Sequence, residues 1–313
     1  MRIWLILALS IGLLMPPPAK AGAVADAMVS VVAVLPDWGG GYRRQPGQPE
    51  EPEGSAVAVM PGGYFATNAH VLGPATKVDV RLPDGQLRAA IILGRDTRSD
   101  IALLKAPVDT PVPTIAAAPP AGAQVCAIGN AFGLGISVSC GVVSATRRTN
   151  TGFNVIEDFI QTDAAVNPGA SGGALVDGHG RLVGLLSAIF TKQSDANIGV
   201  NFATSSALLM RVVSDLRNLG RVRFGKTGWM LRPLSAEDRR KASGARVARL
   251  DPAGAAAGAG VKTGDLVHQV DGRDVHRPSD AAAALYMHRP GETAAVTLER
   301  DGKPLEIRIV LSE

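Results

Sequence analysis

The sequence predicts a mainly β protein of two domains. A chain of 313 residues suits two domains, because domains commonly contain about 100–200 residues each. Polar and apolar residues alternate over residues 77–88 around an Asp-Gly pair, which is typical of two antiparallel strands joined by a tight turn. Long amphipathic helices are scarce before residue 205. The clearest helix spans residues 205–219, where leucines and valines share one face, and it ends at Gly220.

The first 21 residues are typical of a secretory signal. Arg2 precedes an apolar run over residues 3–15, and Ala19-Lys20-Ala21 matches the small-residue pattern of a cleavage site. The run is shorter than the roughly 18–20 residues that a membrane-spanning helix needs. We therefore expect residues 1–21 to be a signal peptide of an exported protein. The alternative is an uncleaved membrane anchor, which is the only membrane contact that we expect.

Export would place the two cysteines in an oxidising compartment, where disulfides are favoured. Cys126 and Cys140 lie in neighbouring strand-like segments joined by a Gly-rich loop. A disulfide between them is one interpretation, and two small buried side chains are the other. The chain has no Cys-x-x-Cys pair, so we expect neither a metal nor a cofactor. A net charge of +4 without a long basic run gives no reason to expect nucleic-acid binding.

Residues 167–173, Asn-Pro-Gly-Ala-Ser-Gly-Gly, are the most informative segment of the chain. Its glycines can adopt positive φ, so the segment forms a tight turn that exposes the hydroxyl of Ser171. The backbone N–H groups of Gly169 and Ser171 would lie beside that hydroxyl and hold a developing oxyanion. Because serine is a weak nucleophile, such a site also needs a base and a group that orients the base.

His70 and Asp100 are the candidates for the base and its orienting carboxylate. Each borders a β-prone run, and the order His70, Asp100, Ser171 is that of the chymotrypsin arrangement. Asp96 is a rival for the carboxylate, but the apolar run after Asp100 favours burial of Asp100. Residues 169–173 also match Gly-x-Ser-x-Gly, yet that nucleophile elbow requires the serine to precede the acid and the histidine.

Four motifs, in this order along the chain, resemble those of the HtrA-type (Deg-type, Do-like) serine proteases. They are residues 67–71 around His70, residues 99–105 around Asp100, residues 127–135 and residues 161–169. The resemblance implies a chymotrypsin/trypsin-like double β-barrel protease domain over residues 22–220. It also implies homotrimers and a role in protein quality control in the bacterial periplasm. If the N-terminal segment is uncleaved, the protein would be anchored in the inner membrane and face the periplasm.

The region from residue 221 to residue 313 resembles one α/β PDZ domain of the bacterial protease type. A PDZ domain adds an extended peptide to a sheet edge and holds the peptide's C-terminal carboxylate with backbone N–H groups. The family pattern places that carboxylate loop at Lys226, Thr227, Gly228 and Trp229, although the first two residues depart from it. Residues 279–287 would form the groove-lining helix, with Ser279 as its cap. The alternative is a domain kept only for packing.

The resemblance also indicates a primary substrate pocket without a charge at its base. The predicted lining residues are Ala165, Val166, Ser187, Ala188 and Ile189. An Arg or Lys side chain would be buried there without a partner, at a large cost in free energy. We therefore expect the pocket to accept small or medium aliphatic side chains.

Two positions depart from the family, which usually has Asn in place of Ala170 and commonly in place of Leu186. Three functions therefore remain open. The first is an exported endopeptidase that cleaves unfolded or mislocalised polypeptides. The second is a weakly active or inactive binding module or chaperone with a poorly ordered oxyanion loop. The third is a regulatory protease that cuts one target after its PDZ domain is engaged by a peptide C-terminus.

Overall fold

A computed structural model describes residues 21–39, 53–189 and 198–313, without the side chains of Ala21, Ala188 and Ile189. Most of the predicted signal segment, residues 1–20, lies outside this description. Within the described ranges, no helix is long and apolar enough to cross a membrane.

Six antiparallel strands close the first barrel in the order β1-β2-β3-β6-β5-β4. The elements are α1 (Ala21–Met28), β1 (Val31–Asp37), β2 (Gly54–Met60), β3 (Tyr64–Thr67), α2 (Ala69–Leu72), β4 (Lys77–Arg81), β5 (Leu87–Asp96) and β6 (Ile101–Lys105). The hairpin predicted over residues 77–88 is confirmed, because β4 pairs antiparallel with β5 and Gly85 in the turn has a φ of 83°. Alternate residues of β4, Val78 and Val80, are buried in the barrel core.

A second closed barrel follows in the order β10-β11-β12-β9-β8-β7. Its strands are β7 (Gln124–Gly129), β8 (Ser137–Arg148), β9 (Phe159–Thr162), β10 (Ala174–Asp177), β11 (Leu182–Ile189) and β12 (Asn201–Ser205), with a 3-10 helix at Ala131–Gly133. Cys126 and Cys140 are directly paired residues of β7 and β8, and the structure contains a disulfide between them. This disulfide joins the two strands at either side of the loop that contains the 3-10 helix. The predicted double β-barrel is confirmed.

Helix α3 (Ser206–Leu219) packs against both barrels, with most of its contacts to β5, β6 and β11. The predicted helix is present, but Ser205 is its N-cap rather than its first residue. The Ser205 hydroxyl accepts a hydrogen bond from the Leu208 N–H at 3.2 Å, which satisfies one of the free N–H groups of the first turn. The helix ends at Gly220, whose left-handed backbone has a φ of 67°.

The C-terminal region is a sheet with strand order β13-β14-β15-β17-β18, and β16 pairs with β15. The elements are β13 (Trp229–Pro233), a 3-10 helix (Asp238–Arg240), β14 (Ala245–Leu250), α4 (Ala255–Gly258), β15 (Leu266–Val270), β16 (Arg273–Asp274), α5 (Pro278–Tyr286), β17 (Thr293–Arg300) and β18 (Lys303–Val310). Helices α4 and α5 pack on this sheet around one apolar core. The predicted α/β domain is therefore confirmed.

The start of α5 differs from the prediction. The helix begins at Pro278, and Arg277 is its N-cap. The carboxylate of Asp280 accepts the N–H of Arg277 at 3.0 Å and that of His276 at 2.9 Å. Ser279, the predicted cap, lies in the first turn of the helix, and the Asp280 side chain binds back to the backbone N–H groups that precede the helix.

A buried ionic cluster joins α3 to the C-terminal region. Asp215 is 2% exposed and lies 2.7 Å from Arg211 and 2.8 Å from Arg289. Burial opposes ionisation of Asp215, but hydrogen bonds from the Arg223 N–H and from both guanidinium groups outweigh it and lower the pKa of the carboxyl. Asp215 therefore stays ionised at neutral pH and links α3 to Arg223 and Arg289 of the C-terminal region.

Candidate active site

The structure brings His70 and Asp100 into direct contact. His70 lies in α2, immediately after β3, and Asp100 precedes β6, which pairs with β3. The Asp100 Oδ2 lies 2.6 Å from the His70 Nδ1, and the Oδ1 accepts the His70 backbone N–H at 2.9 Å. An ionised carboxylate can only accept hydrogen bonds. Nδ1 therefore carries the proton, and the lone pair of Nε2 is free to act as a base.

The backbone at Asp100 is what aims its carboxylate at His70. Asp100 has a φ of 57°, in the left-handed region that few residues other than glycine adopt. Its carbonyl accepts the side-chain N–H of Asn68 at 3.0 Å and the Ala69 N–H at 3.3 Å. Asn68 is fully buried and was not identified from the sequence, although its place two residues before His70 was a signal.

The rival carboxylate, Asp96, has different partners. Its Oδ2 accepts hydrogen bonds from the Ser99 N–H at 3.2 Å and from the Ser99 hydroxyl. It also accepts the hydroxyl of Tyr286, in α5, at 2.8 Å. Burial and the neighbouring Asp96 carboxylate raise the pKa of Tyr286, so this hydroxyl remains a donor. Asp96 thus joins the barrels to the C-terminal domain, whereas Asp100 contacts His70.

Ser171 lies in the turn before β10 and lines the same cavity as His70 and Asp100. The cavity has a volume of about 960 Å³ and extends to Trp38 and Phe153. The Ser171 Oγ donates to the carbonyl of Ser187 at 3.3 Å. The structure describes both side chains, and no hydrogen bond joins the Ser171 Oγ to the His70 ring. The His70 side chain is 52% exposed.

The turn before Ser171 presents two backbone N–H groups without acceptors among the described residues, those of Gly169 and Ser171. Gly169 has a φ of 91°, and a Cβ on it would lie only 2.4 Å from the Asn130 carbonyl oxygen. The Pro168 carbonyl accepts the Phe132 N–H at 2.7 Å. Because C=O and N–H of one trans peptide point in opposite directions, this contact aims the Gly169 N–H away from Phe132.

The residues predicted to line the substrate pocket lie in different surroundings. Ser187 lines the cavity that contains Ser171. Ala165 lines a smaller neighbouring cavity of about 80 Å³, together with Ala170 and Leu186. Val166 is 1% exposed and packs in the core of the second barrel. The side chains of the remaining two predicted residues, Ala188 and Ile189, lie outside the described part of the structure.

Another cavity, of about 500 Å³, lies beside β13 and α5 of the C-terminal domain. The predicted carboxylate loop, Lys226 to Trp229, forms one end of it. The backbone N–H of Lys226 donates to the Ser312 carbonyl at 2.9 Å. The N–H groups of Thr227 and Gly228 have no acceptor among the residues described here. The Trp229 N–H makes a long contact of 3.5 Å with the Thr227 hydroxyl.

The barrels contribute one wall of this groove. Arg98, two residues before Asp100, lines it together with Lys226, and the remaining lining residues carry no acidic side chain. The Arg98 guanidinium lies 4.2 Å from the centre of the Phe224 ring. Phe224 in turn stacks on Tyr286, with ring centres 5.3 Å apart. A basic, otherwise apolar groove with free backbone N–H groups at one end suits an extended peptide with a C-terminal carboxylate.

Comparisons with known proteins agree with this architecture. The family model described as a trypsin-like peptidase domain matches residues 54–185, and the PDZ domain model matches residues 197–311. The chain is 38% identical over 269 residues to a probable periplasmic serine endoprotease DegP-like of Halomonas elongata. It is 34% identical over 277 residues to the periplasmic pH-dependent serine endoprotease DegQ of Escherichia coli.

Those alignments cover 83% and 85% of this chain, and the chain spans 56% and 61% of the length of the two relatives. Among solved structures, the HtrA-type protease AlgW with a decapeptide is 31% identical with a TM-score of 0.71. That match covers 93% of this chain and 98% of AlgW. A serine endoprotease from Yersinia pestis is also 31% identical, with a TM-score of 0.64. The chain therefore belongs to the HtrA-type family of trypsin-like serine proteases with a PDZ domain.

Proposed function

We propose that this protein is a serine endopeptidase that cleaves unfolded or mislocalised polypeptides. The observation that carries the proposal is the 2.6 Å contact between Asp100 and His70, in the cavity that also contains Ser171. A carboxylate, an imidazole and a serine hydroxyl at one cavity are the groups that acyl transfer requires. Membership of a protease family supports the same conclusion.

In the proposed mechanism, Ser171 is the nucleophile and His70 is the general base. The Ser171 hydroxyl turns from the Ser187 carbonyl toward His70, and Nε2 accepts its proton as Oγ attacks the substrate carbonyl carbon. Asp100 stabilises the imidazolium, which then protonates the leaving amine. The N–H groups of Gly169 and Ser171 hold the oxyanion. Water then takes the place of the amine: His70 accepts a proton from it as its oxygen attacks the acyl carbon, and the imidazolium returns that proton to the Ser171 Oγ as the ester bond breaks.

We expect cleavage of peptide libraries to follow small and medium aliphatic residues. None of the five residues predicted to line the pocket, among them Ala165 and Ser187, has a charged side chain. An Arg or Lys at the scissile position would therefore be desolvated without a partner. Mass spectrometry of the products of a mixed peptide library measures the preference directly.

Prior treatment of the protein with a fluorophosphonate is the control in this experiment, because only an activated serine reacts with it. The treated protein should carry one adduct on Ser171 and cleave nothing. Preferential cleavage after Lys or Arg would contradict the proposed pocket. If no adduct forms and no peptide is cleaved, the endopeptidase proposal is wrong.

A second candidate function is a weakly active binding module or chaperone. One observation favours it: the Ser171 hydroxyl is directed to Ser187 and not to His70. The fluorophosphonate experiment separates the two functions, because a binding module would suppress aggregation of unfolded protein without forming an adduct. A regulatory protease with one target would form the adduct but leave a mixed library uncut until a peptide occupies the PDZ groove.

We also propose that the PDZ groove binds free peptide C-termini with an apolar last residue. The free N–H groups of Thr227 and Gly228 would receive the carboxylate, beside the positive charges of Lys226 and Arg98. Amidation removes the carboxylate charge, so we expect an amidated peptide to bind at least about tenfold more weakly than the free acid. Calorimetric titration of the full-length Ser171→Ala variant with matched acid and amide peptides measures this ratio. Equal affinities would show that residues 226–229 do not form a carboxylate site.

The remaining proposals depend on the family. They are export to the periplasm with removal of residues 1–21, a protease domain over residues 22–220, a PDZ domain over residues 221–313, and a homotrimer. The periplasmic names of the relatives support the location. The intact mass of the protein recovered from the periplasm tests the cleavage. Sedimentation equilibrium of the same sample tests the trimer, and a monomer at micromolar concentration would contradict it.

A further inference from the structure

Ser55 is a fully buried polar residue in the first barrel whose contacts reach into the second. It is the second residue of β2 and is 0% exposed. The first barrel also contributes Glu53 nearby, whose carboxylate accepts the side-chain N–H of Asn130 at 2.5 Å and a guanidinium N–H of Arg81 at 2.6 Å. The start of β2 therefore lies where two loops of the second barrel approach the first.

The polar groups of Ser55 contact both residues of the proposed oxyanion hole. Its hydroxyl donates to the Gly169 carbonyl at 2.8 Å and accepts the Asn130 N–H at 2.8 Å. Its own backbone N–H donates to the Ser171 carbonyl at 2.9 Å. One side-chain hydroxyl therefore joins the loop that contains Ser171 to the loop that contains Asn130, and all three groups come from distant parts of the chain.

These contacts restrict a turn whose central glycine can adopt other backbone conformations. Gly169 has a φ of 91° and no side chain that would oppose another conformation. Rotation of the peptide group before Gly169 redirects the Gly169 N–H out of the proposed oxyanion hole. Rotation of the peptide group after it breaks the hydrogen bond from the Ala170 N–H to the Asn167 carbonyl, at 2.9 Å, and displaces the backbone that leads to the Ser171 N–H. The Ser55 hydroxyl donates to the carbonyl of Gly169 itself, and the Phe132 N–H donates to the carbonyl of the preceding residue, Pro168. The position of Phe132 depends in turn on Asn130, which Ser55 also binds.

We propose that Ser55 is a positioning residue that keeps the Gly169–Ser171 turn in the form that binds an oxyanion. The inference rests on the proposed function of that turn. The first barrel thus helps to build the oxyanion hole, which lies in the second barrel. It does so in addition to supplying His70 and Asp100 for proton transfer. Because the oxyanion develops only in the transition state, the loss of this contact lowers kcat and leaves substrate binding nearly unchanged.

Ser55→Ala is the direct test, and Ser206→Ala is the matched control. Ser206 is 3% exposed, and its hydroxyl donates to the Ala116 carbonyl at 2.6 Å, far along the chain from both loops. Both variants lose a buried hydroxyl that donates to a backbone carbonyl, and Ser55→Ala also loses the acceptor of the Asn130 N–H. We expect Ser55→Ala to lower kcat by about 10–100-fold, with KM and the control variant changing less than about threefold.

Two further measurements distinguish positioning from a general loss of stability. The affinity for a peptide boronic acid, whose adduct occupies the oxyanion hole, should fall in proportion to kcat/KM in Ser55→Ala. Amide exchange over residues 167–173 should accelerate in Ser55→Ala and stay unchanged in Ser206→Ala. If Ser55→Ala does not fold, Ser55→Cys replaces it, because a thiol has a similar shape and is a weak donor.

The outcomes separate this inference from the proposed function. A wild-type chain that neither hydrolyses peptides nor binds the boronic acid contradicts the endopeptidase function. Amide exchange then still tests whether Ser55 orders the turn. Unchanged exchange overturns the role of Ser55, and so does a Ser55→Ala variant with the kcat and boronic-acid affinity of the wild type.

Discussion

Replacing Ser171 with Ala should lower kcat by about 10⁴–10⁶-fold, because the variant has no nucleophile for His70 to activate. The fold should be unaffected. The Ser171 hydroxyl makes one hydrogen bond, at 3.3 Å, to the carbonyl of Ser187, and the loss of such a bond changes the free energy of unfolding by about 1 kcal/mol or less. Casein cleavage and thermal unfolding of the same preparation measure the two effects.

The control for this variant is Ser206→Ala, which has the same side-chain change at the start of α3 and should cleave casein at the wild-type rate. The two proteins need identical purification away from host proteases. Casein cleavage by Ser171→Ala at even a tenth of the wild-type rate would mean that another residue is the nucleophile.

Replacing Asp100 with Asn should have the second largest effect, a fall in kcat of about 10⁴-fold. An amide N–H facing the imidazole favours the tautomer with its proton on Nε2, and that nitrogen then cannot accept the Ser171 proton. The substitution preserves size, so the packing around residue 100 should remain. The rate of a chromogenic peptide substrate, measured from pH 6 to pH 9, tests the prediction.

Asp96→Asn is the matched control, since Asp96 lies four residues earlier, at the end of β5. Its partners are Ser99 and Tyr286, and an Asn oxygen still accepts the Tyr286 hydroxyl. We expect Asp96→Asn to keep activity within about threefold of the wild type, because no catalytic side chain loses its partner. If Asp96→Asn loses more activity than Asp100→Asn, the two carboxylates have been assigned in the wrong order.

The sequence alone was sufficient for the features that depend on local patterns. Alternation around the Asp-Gly pair predicted the β4–β5 hairpin, and helical periodicity with a terminal glycine predicted α3. The seven residues around Ser171 predicted a tight turn, because glycines with positive φ are a property of the turn itself, and Gly169 and Gly172 adopt positive φ. Motif order then predicted the double barrel and the PDZ domain, which the family models match.

Only the tertiary structure decided which groups meet across the barrels. Asp100 rather than Asp96 reaches His70, because the left-handed backbone at Asp100 and the buried side chain of Asn68 aim its carboxylate. Ser55 binds Gly169, which is 114 residues away in the sequence, and no local pattern at either residue indicates the other. Such contacts depend on the packing of two closed barrels against each other. Periodicity and turn chemistry describe each strand but leave the relative position of the two barrels undetermined.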